Sequence, residues 1–122
     1  MINREINNDD YNFIALILPR ISAAMTAVVR GDAKAAKEIC KSDGNIDLAV
    51  EFINNCILQG DSFMTEQDID INDVYLYGLD GTYYDLDVQF DGRNSDNPYF
   101  AKFDITRNDN DDHCILFRDI SM

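Results

Sequence analysis

Hydrophobic residues recur along this chain with two periods, and the change from one to the other falls near residue 60. In the first half Phe13, Ile14, Ile17, Leu18, Ile21, Ala24, Met25 and Val28 repeat at helical spacing, which makes one apolar stripe. Asp9 or Asp10 can cap this helix and Gly31 can stop it. Pro19 lies inside it, removing a backbone hydrogen bond and crowding the preceding turn. The expectation is a kink, or two abutting helices with Pro19 in the first turn of the second. Asp32 then caps a short helix, AKAAKEICK, that ends at Ser42-Asp43-Gly44 and has a narrow stripe of Ala33, Ala36, Ile39 and Cys40. A third helix opens at Asn45 or Asp47 and ends at Gly60. Its pairs Leu48/Ala49, Phe52/Ile53 and Cys56/Ile57 stand four residues apart, so it should pack directly on a sheet.

Residues 61–72 are a polar connection in which Thr65 and Asp68 hint at one capped turn. From Val74 the period is two. The stretch DVYLYGLDGTYYDLDVQF, Asp73 to Phe90, joins two aromatic and β-branched runs across Asp80-Gly81. That dipeptide suits a two-residue type I′ turn, whose twist matches its flanking strands. After Thr82, Tyr84, Leu86, Val88 and Phe90 fall on one face, and Tyr83, Asp85, Asp87 and Gln89 on the other. Past the long turn DGRNSDNP, Tyr99, Ala101, Phe103 and Ile105 alternate with Phe100, Lys102, Asp104 and Thr106. Asn108 to Asp112 is a polar loop and His113 to Ser121 a last strand. There Cys114, Leu116 and Ile120 compete with Ile115 and Phe117 for the inward face. The fold class expected is α+β, with about three N-terminal helices (residues 1–60) on one face of a C-terminal four-stranded antiparallel meander (residues 70–122). A length of 122 residues fits one domain, 1–122.

Composition changes this picture little. An apolar fraction of 46% is ordinary for a globular chain. MINREINNDDYN lacks the apolar core of a signal peptide, and the aliphatic run Phe13 to Leu18 is too short to span a bilayer. The cytoplasm is therefore the expected compartment. Cys40, Cys56 and Cys114 form no CxxC pair, and Cys40 and Cys56 read as reduced core thiols.

Charge changes it more. The net charge is −13, with eight acids against six bases up to residue 59 and fifteen against four from residue 60 onward. An imbalance of this kind repels nucleic acid and anionic membranes and draws basic partners inward.

Candidate chemistry is sparse. Asp68-Ile69-Asp70-Ile71-Asn72 has the alternating oxygens that open a calcium loop, but Asp73 stands where glycine is needed and Leu79 where a bidentate acid is needed. Asp109, Asp111 and Asp112 have the same defect and read as a solvated hairpin turn, so no metal or other cofactor is expected. His113 is the only histidine, and Cys114 beside it points to the opposite face of a strand. Asp85 and Asp87 read as surface charges, and no glycine-rich phosphate loop appears, so no catalytic residue is assigned. What remains is the outer sheet face: Tyr83, Asp85, Asp87 and Gln89, with Phe100 and Asp104 beside them. Tyrosine offers rigid contact area and aspartate offers acceptors for arginine and lysine. The six residues together are the expected partner-binding surface.

In its size, its lack of catalytic residues and the acidic bias of IDINDVYLYGLDGTYYDLDVQFDG, the chain resembles the small acidic immunity proteins of bacterial contact-dependent inhibition and related toxin systems. That resemblance implies binding of a cognate basic toxin such as a nuclease. It carries over no individual residue. A second resemblance rests on AAMTAVVRGDAKAAKEI, its Val29-Arg30-Gly31-Asp32 junction and the order of elements. These are similar to the start of nuclear-transport-factor-like (SnoaL-like) cone domains and imply a pocket for a small apolar ligand reaching Tyr84 or Phe103. The strand that such domains place before the third helix is missing.

Overall fold

The computed structural model describes residues 7–41, 44–110 and 112–122. Three helices, α1 (Asn8–Val29), α2 (Ala33–Ile39) and α3 (Asn45–Leu58), precede four strands, β1 (Val74–Leu79), β2 (Tyr83–Phe90), β3 (Tyr99–Arg107) and β4 (His113–Ser121). The sheet is antiparallel with strand order β1-β2-β3-β4. The fold is α+β, with the helices on the N-terminal side and the meander on the C-terminal side. Ser42, Asp43 and Asp111, named above for a helix end and an acidic loop, lie outside the described residues, as do the first six.

Helix α1 is capped by the Asn7 side chain, which accepts from the Asp10 amide at 2.8 Å; Asp9 and Asp10 sit in the first turn. Helix α1 is one continuous helix through Pro19, not two abutting ones. Pro19 lies on the exposed side, as do Ala15 and Leu16 one turn earlier, so the carbonyl that loses its donor faces water rather than the core. By length and composition α1 could cross a bilayer, but its stripe from Phe13 to Val28 is buried in the protein. Gly31 ends it in the left-handed region (φ +77°), and Asp32 caps α2 by accepting from the Ala35 amide at 3.1 Å.

Helix α3 buries Ile46, Ala49, Ile53 and Cys56, whereas Leu48 and Ile57 are exposed. Its N-cap is Gly44 without a side-chain bond, and Asp47 instead pairs with Lys37 of α2 at 2.8 Å. The capped turn suggested at Thr65 and Asp68 forms later, as a 3-10 turn over Ile71–Asp73. Asp70 accepts there from the Asn72 amide and Asp73 accepts from the Asp70 amide.

The expected inward sets of β2 and β3 are all buried. They meet α1 through Phe13, whose ring lies 5.1 Å from that of Tyr84, and α3 through Phe52, 6.0 Å from Tyr99. The ambiguity in β4 is resolved by a bulge. Lys102 pairs with Asp119 and Phe103 with Phe117, which leaves Arg118 as an extra residue. The extra residue shifts the phase, so Ile115, Phe117 and Ile120 all point inward. The Asp80-Gly81 connection is also not the two-residue turn expected. Leu79 pairs with Tyr84, and Asp80 Oδ1 accepts from the Thr82 and Tyr83 amides at 2.9 and 2.7 Å. The aspartate side chain has replaced a backbone turn bond, with Gly81 at φ +88°.

Of the two sheet edges, that of β4 is partly closed. Lys41 donates its amide to the Ile115 carbonyl at 2.8 Å and accepts from the Phe117 amide at 2.9 Å. Strand β1 carries a bulge between Leu76 and Gly78, a device that twists an edge away from further pairing.

Candidate functional site: the outer face of the sheet

Alternation and register place all six expected residues on the sheet face turned away from the helices. Asp85 pairs with Asp104, Gln89 with Phe100, and Asp87 with Lys102 across β2 and β3. The β1 register adds Tyr75, opposite Asp87, and Tyr77 beside Asp85. The face is open along this side: Tyr77 is 65% exposed and Tyr83 37%.

The six residues are not equally available. The Tyr75 hydroxyl donates to Gln89 Oε1 at 2.9 Å, and the Tyr75 ring lies 5.9 Å from that of Phe100 at 72°. Asp104 is buried and fully engaged. The Tyr83 hydroxyl donates to its Oδ1 at 2.8 Å, and the Arg118 guanidinium pairs with its Oδ2. That hydrogen bond, with burial and the nearby charge of Asp104, raises the Tyr83 pKa. Arg118 reaches Asp104 because the β4 bulge supplies it, so Asp104 belongs to the internal scaffold of the face.

Asp85 and Asp87 differ. Oδ1 of each is buried and accepts no hydrogen bond from a described protein donor. Arg118, paired with Asp104, also feels the charge of Asp85, and Lys102 places its Nζ 3.9 Å from Asp87 Oδ1 and 5.6 Å above the Tyr77 ring. At that distance it attracts the carboxylate without a hydrogen bond. Burial raises the Asp87 pKa, Lys102 works against the rise, and the like charge of Asp85 adds to it. Two desolvated carboxylates are thus held among tyrosine rings with acceptor oxygens to spare.

Further acids rim the two ends of the sheet. Asp80, Asp109 and Asp112 lie at the end that meets the start of α1, and Asp91 and Asp96 at the other. In the stretch considered as a calcium loop, the Asp70 and Asp73 carboxylates bind the backbone of their own turn, Ile71–Asp73. At the β3–β4 turn, Asn108 Oδ1 accepts from the Asn110 and Asp112 amides. Among the described residues no group of three or more His, Cys, Asp or Glu side chains is arranged to hold a metal ion.

His113 and Cys114 leave β4 in opposite directions, as strand alternation requires. His113 packs edge-on to Phe13 at 5.6 Å, and its Nε2 lies 2.9 Å from Arg20 Nη1. Cys40 and Cys56 are buried free thiols, and burial pushes the Cys40 pKa up to about 11, away from nucleophilic use. Tyr84 and Phe103 have no exposed surface. They pack against Phe13 and Phe117, and the clefts formed by described residues at the β3–β4 turn, beside α1 and beside α3 include neither.

Sequence reasoning passed over Tyr75, Tyr77, Lys102 and Arg118 as members of this face. For Tyr75 and Lys102 the signal was present, because each lies on the polar side of an alternating strand. Tyr77, two residues after Tyr75, follows from the same alternation, whereas Arg118 could not be placed until the β4 bulge fixed which residues of that strand face inward. Comparison with family models, curated proteins and solved structures finds no match for the chain.

Proposed function

We propose that this protein is a non-enzymatic inhibitor that acts in the cytoplasm by binding a basic protein toxin, such as a nuclease, on the outer face of its sheet. One observation carries the reading. Asp85 and Asp87 present buried, unsaturated carboxylate oxygens among Tyr75, Tyr77 and Tyr83 on an open face. A protein that keeps charge desolvated and unsaturated gives up stability there, and a cationic partner returns it on binding. The net charge of −13 steers such a partner in and repels nucleic acid.

The test is capture from native lysate on tagged protein, eluted in steps of rising salt, followed by affinity measurement on the basic protein recovered. The double variant Asp85→Lys/Asp87→Lys should bind at least about 30-fold more weakly, the scale expected when desolvated interfacial charges lose their counterpart. Unchanged affinity in a double variant whose NMR spectrum remains that of the folded protein removes the proposal.

A further inference from the structure

We infer that the Asp85–Asp87 pair is a receptor for one arginine side chain of the partner, and that Lys102 is the resident cation which that guanidinium displaces. The inference rests on the inhibitor reading and specifies the chemistry of its contact. Asp85 and Asp87 stand two residues apart on one face of β2, so their Cβ atoms are about 7 Å apart. Each offers one buried oxygen without a protein donor. A lysine ammonium is compact, and Lys102 shows what it achieves here: 3.9 Å from Asp87 Oδ1, with no hydrogen bond to either orphan oxygen. A guanidinium carries five N–H donors in one plane and can serve acceptors on two sides at once. Its flat face also stacks on aromatic rings, and Tyr77, a residue 65% exposed beside Asp85 with its ring already beneath Lys102, supplies one.

The displacement has a physical basis. Lys102 is about half exposed, so moving its ammonium into water costs little. Asp119 pairs with Lys102 across β3 and β4 and offers the ammonium another carboxylate. The two orphan oxygens have almost no exposed surface in the free protein, and they gain donors only as Lys102 moves aside and the guanidinium takes its place. Lys102 thus lowers the affinity of the face for its partner while keeping Asp87 partly neutralised in the free protein.

The probes are the blocked tripeptides Gly-Arg-Gly and Gly-Lys-Gly, titrated into isotope-labelled protein and followed by backbone and aspartate side-chain NMR. The arginine peptide should bind roughly fivefold more tightly than the lysine peptide, with shifts centred on Tyr77, Asp85 and Asp87. Asp85→Asn/Asp87→Asn should abolish that preference, and Lys102→Met should strengthen arginine binding severalfold. Equal affinity for the two peptides overturns the inference, as do shifts confined to the acidic rims at Asp80, Asp91 and Asp112, or arginine binding that Lys102→Met leaves unchanged or weakens. The unmutated protein gives the first two readings, so the outcome does not depend on a variant folding. If the peptides bind alike while charge reversal still releases the captured basic protein, the arginine receptor fails and the inhibitor reading stands. If arginine is preferred but charge reversal leaves the captured protein bound, the inhibitor reading fails instead.

Discussion

Tyr84 and Asp85 are neighbours in β2 whose side chains leave the strand on opposite faces, and the protein treats the carboxylates on those faces in opposite ways. On the inner side Asp10 is buried and its Oδ1 is engaged. The Tyr84 hydroxyl donates to its Oδ1 at 2.6 Å, and Arg107 stands 3.7 Å away while donating to the Tyr84 oxygen at 2.9 Å. Arg107 also pairs with Asp9 at 3.1 Å and lies over the Phe13 ring at 4.4 Å. Burial and the bond to Asp10 push the Tyr84 pKa up to about 12, so its proton stays in place. On the outer side the Oδ1 atoms of Asp85 and Asp87 accept from no described hydroxyl or guanidinium. The inner network joins the start of α1 to the sheet and serves the fold. The outer pair contributes no comparable bond, and its cost to stability suits a surface kept for something else.

Removing Asp10 tests the inner half of this contrast and should have the largest effect. Asp10→Ala removes one of the carboxylates that Arg107 meets and leaves the Tyr84 hydroxyl with the longer contact to the Gly81 carbonyl at 3.4 Å. A loss of about 3 kcal/mol is expected, seen as a fall in Tm of about 10 °C for a chain of this size. Tyr84→Phe keeps the ring and the charges but removes one donor, so it should cost about 1–2 kcal/mol in urea unfolding. A loss of less than a few tenths in both would mean that the network is ornamental and the contrast false.

The outer half predicts the reverse sign. Asp85→Asn and Asp87→Asn remove charges that the fold does not saturate, so each should leave stability unchanged or raise it by up to about 1 kcal/mol. Both should weaken binding of the captured partner. A destabilisation of either variant comparable to that of Tyr84→Phe would place these carboxylates with the structural ones.

The two faces were not equally legible in the sequence. Inward residues such as Leu86, Val88, Ala101 and Phe103 announce themselves by alternation, because burying every second residue is the dominant energy of a strand. The six expected outer residues follow from the same rule read in its complement. What alternation could not give is which of them the fold consumes. Asp104 and Asp85 look alike in sequence, yet Asp104 is saturated by Tyr83 and by an arginine that a bulge delivers. The bulge at Arg118 shifts the phase of β4 by one residue and so decides between its two competing inward sets. That Pro19 does not split α1 has a related reason. Its cost depends on whether the orphaned carbonyl faces solvent, and the stripe around it fixes that only once the helix is packed.

The smallest effect separates two carboxylates through pH. Asp61 accepts from the Tyr99 hydroxyl at 2.6 Å and from the Ser62 and Asn94 amides at 2.8 and 2.9 Å. Burial works against its charged form, but these three donors outweigh it and hold the pKa below the usual value. The stability contributed by Asp61 is therefore present above the ordinary carboxylate pKa and is lost as pH falls through the lowered one. Asp87 runs the other way. Burial raises its folded pKa, so the folded state binds the proton more tightly than the unfolded chain does. Stability falls as pH rises from the ordinary carboxylate pKa through the raised one, and at neutral pH the whole penalty is in force. Thermal unfolding of both variants between about pH 3 and about pH 7 reads out the difference. Asp61→Asn should be less stable than the parent at neutral pH, with the deficit shrinking on acidification. Asp87→Asn should be the more stable partner at neutral pH, and its advantage should shrink over the same descent. If Asp87→Asn instead follows the course of Asp61→Asn, the outer carboxylates are held by the fold after all, and the case for their being kept for a partner goes with them.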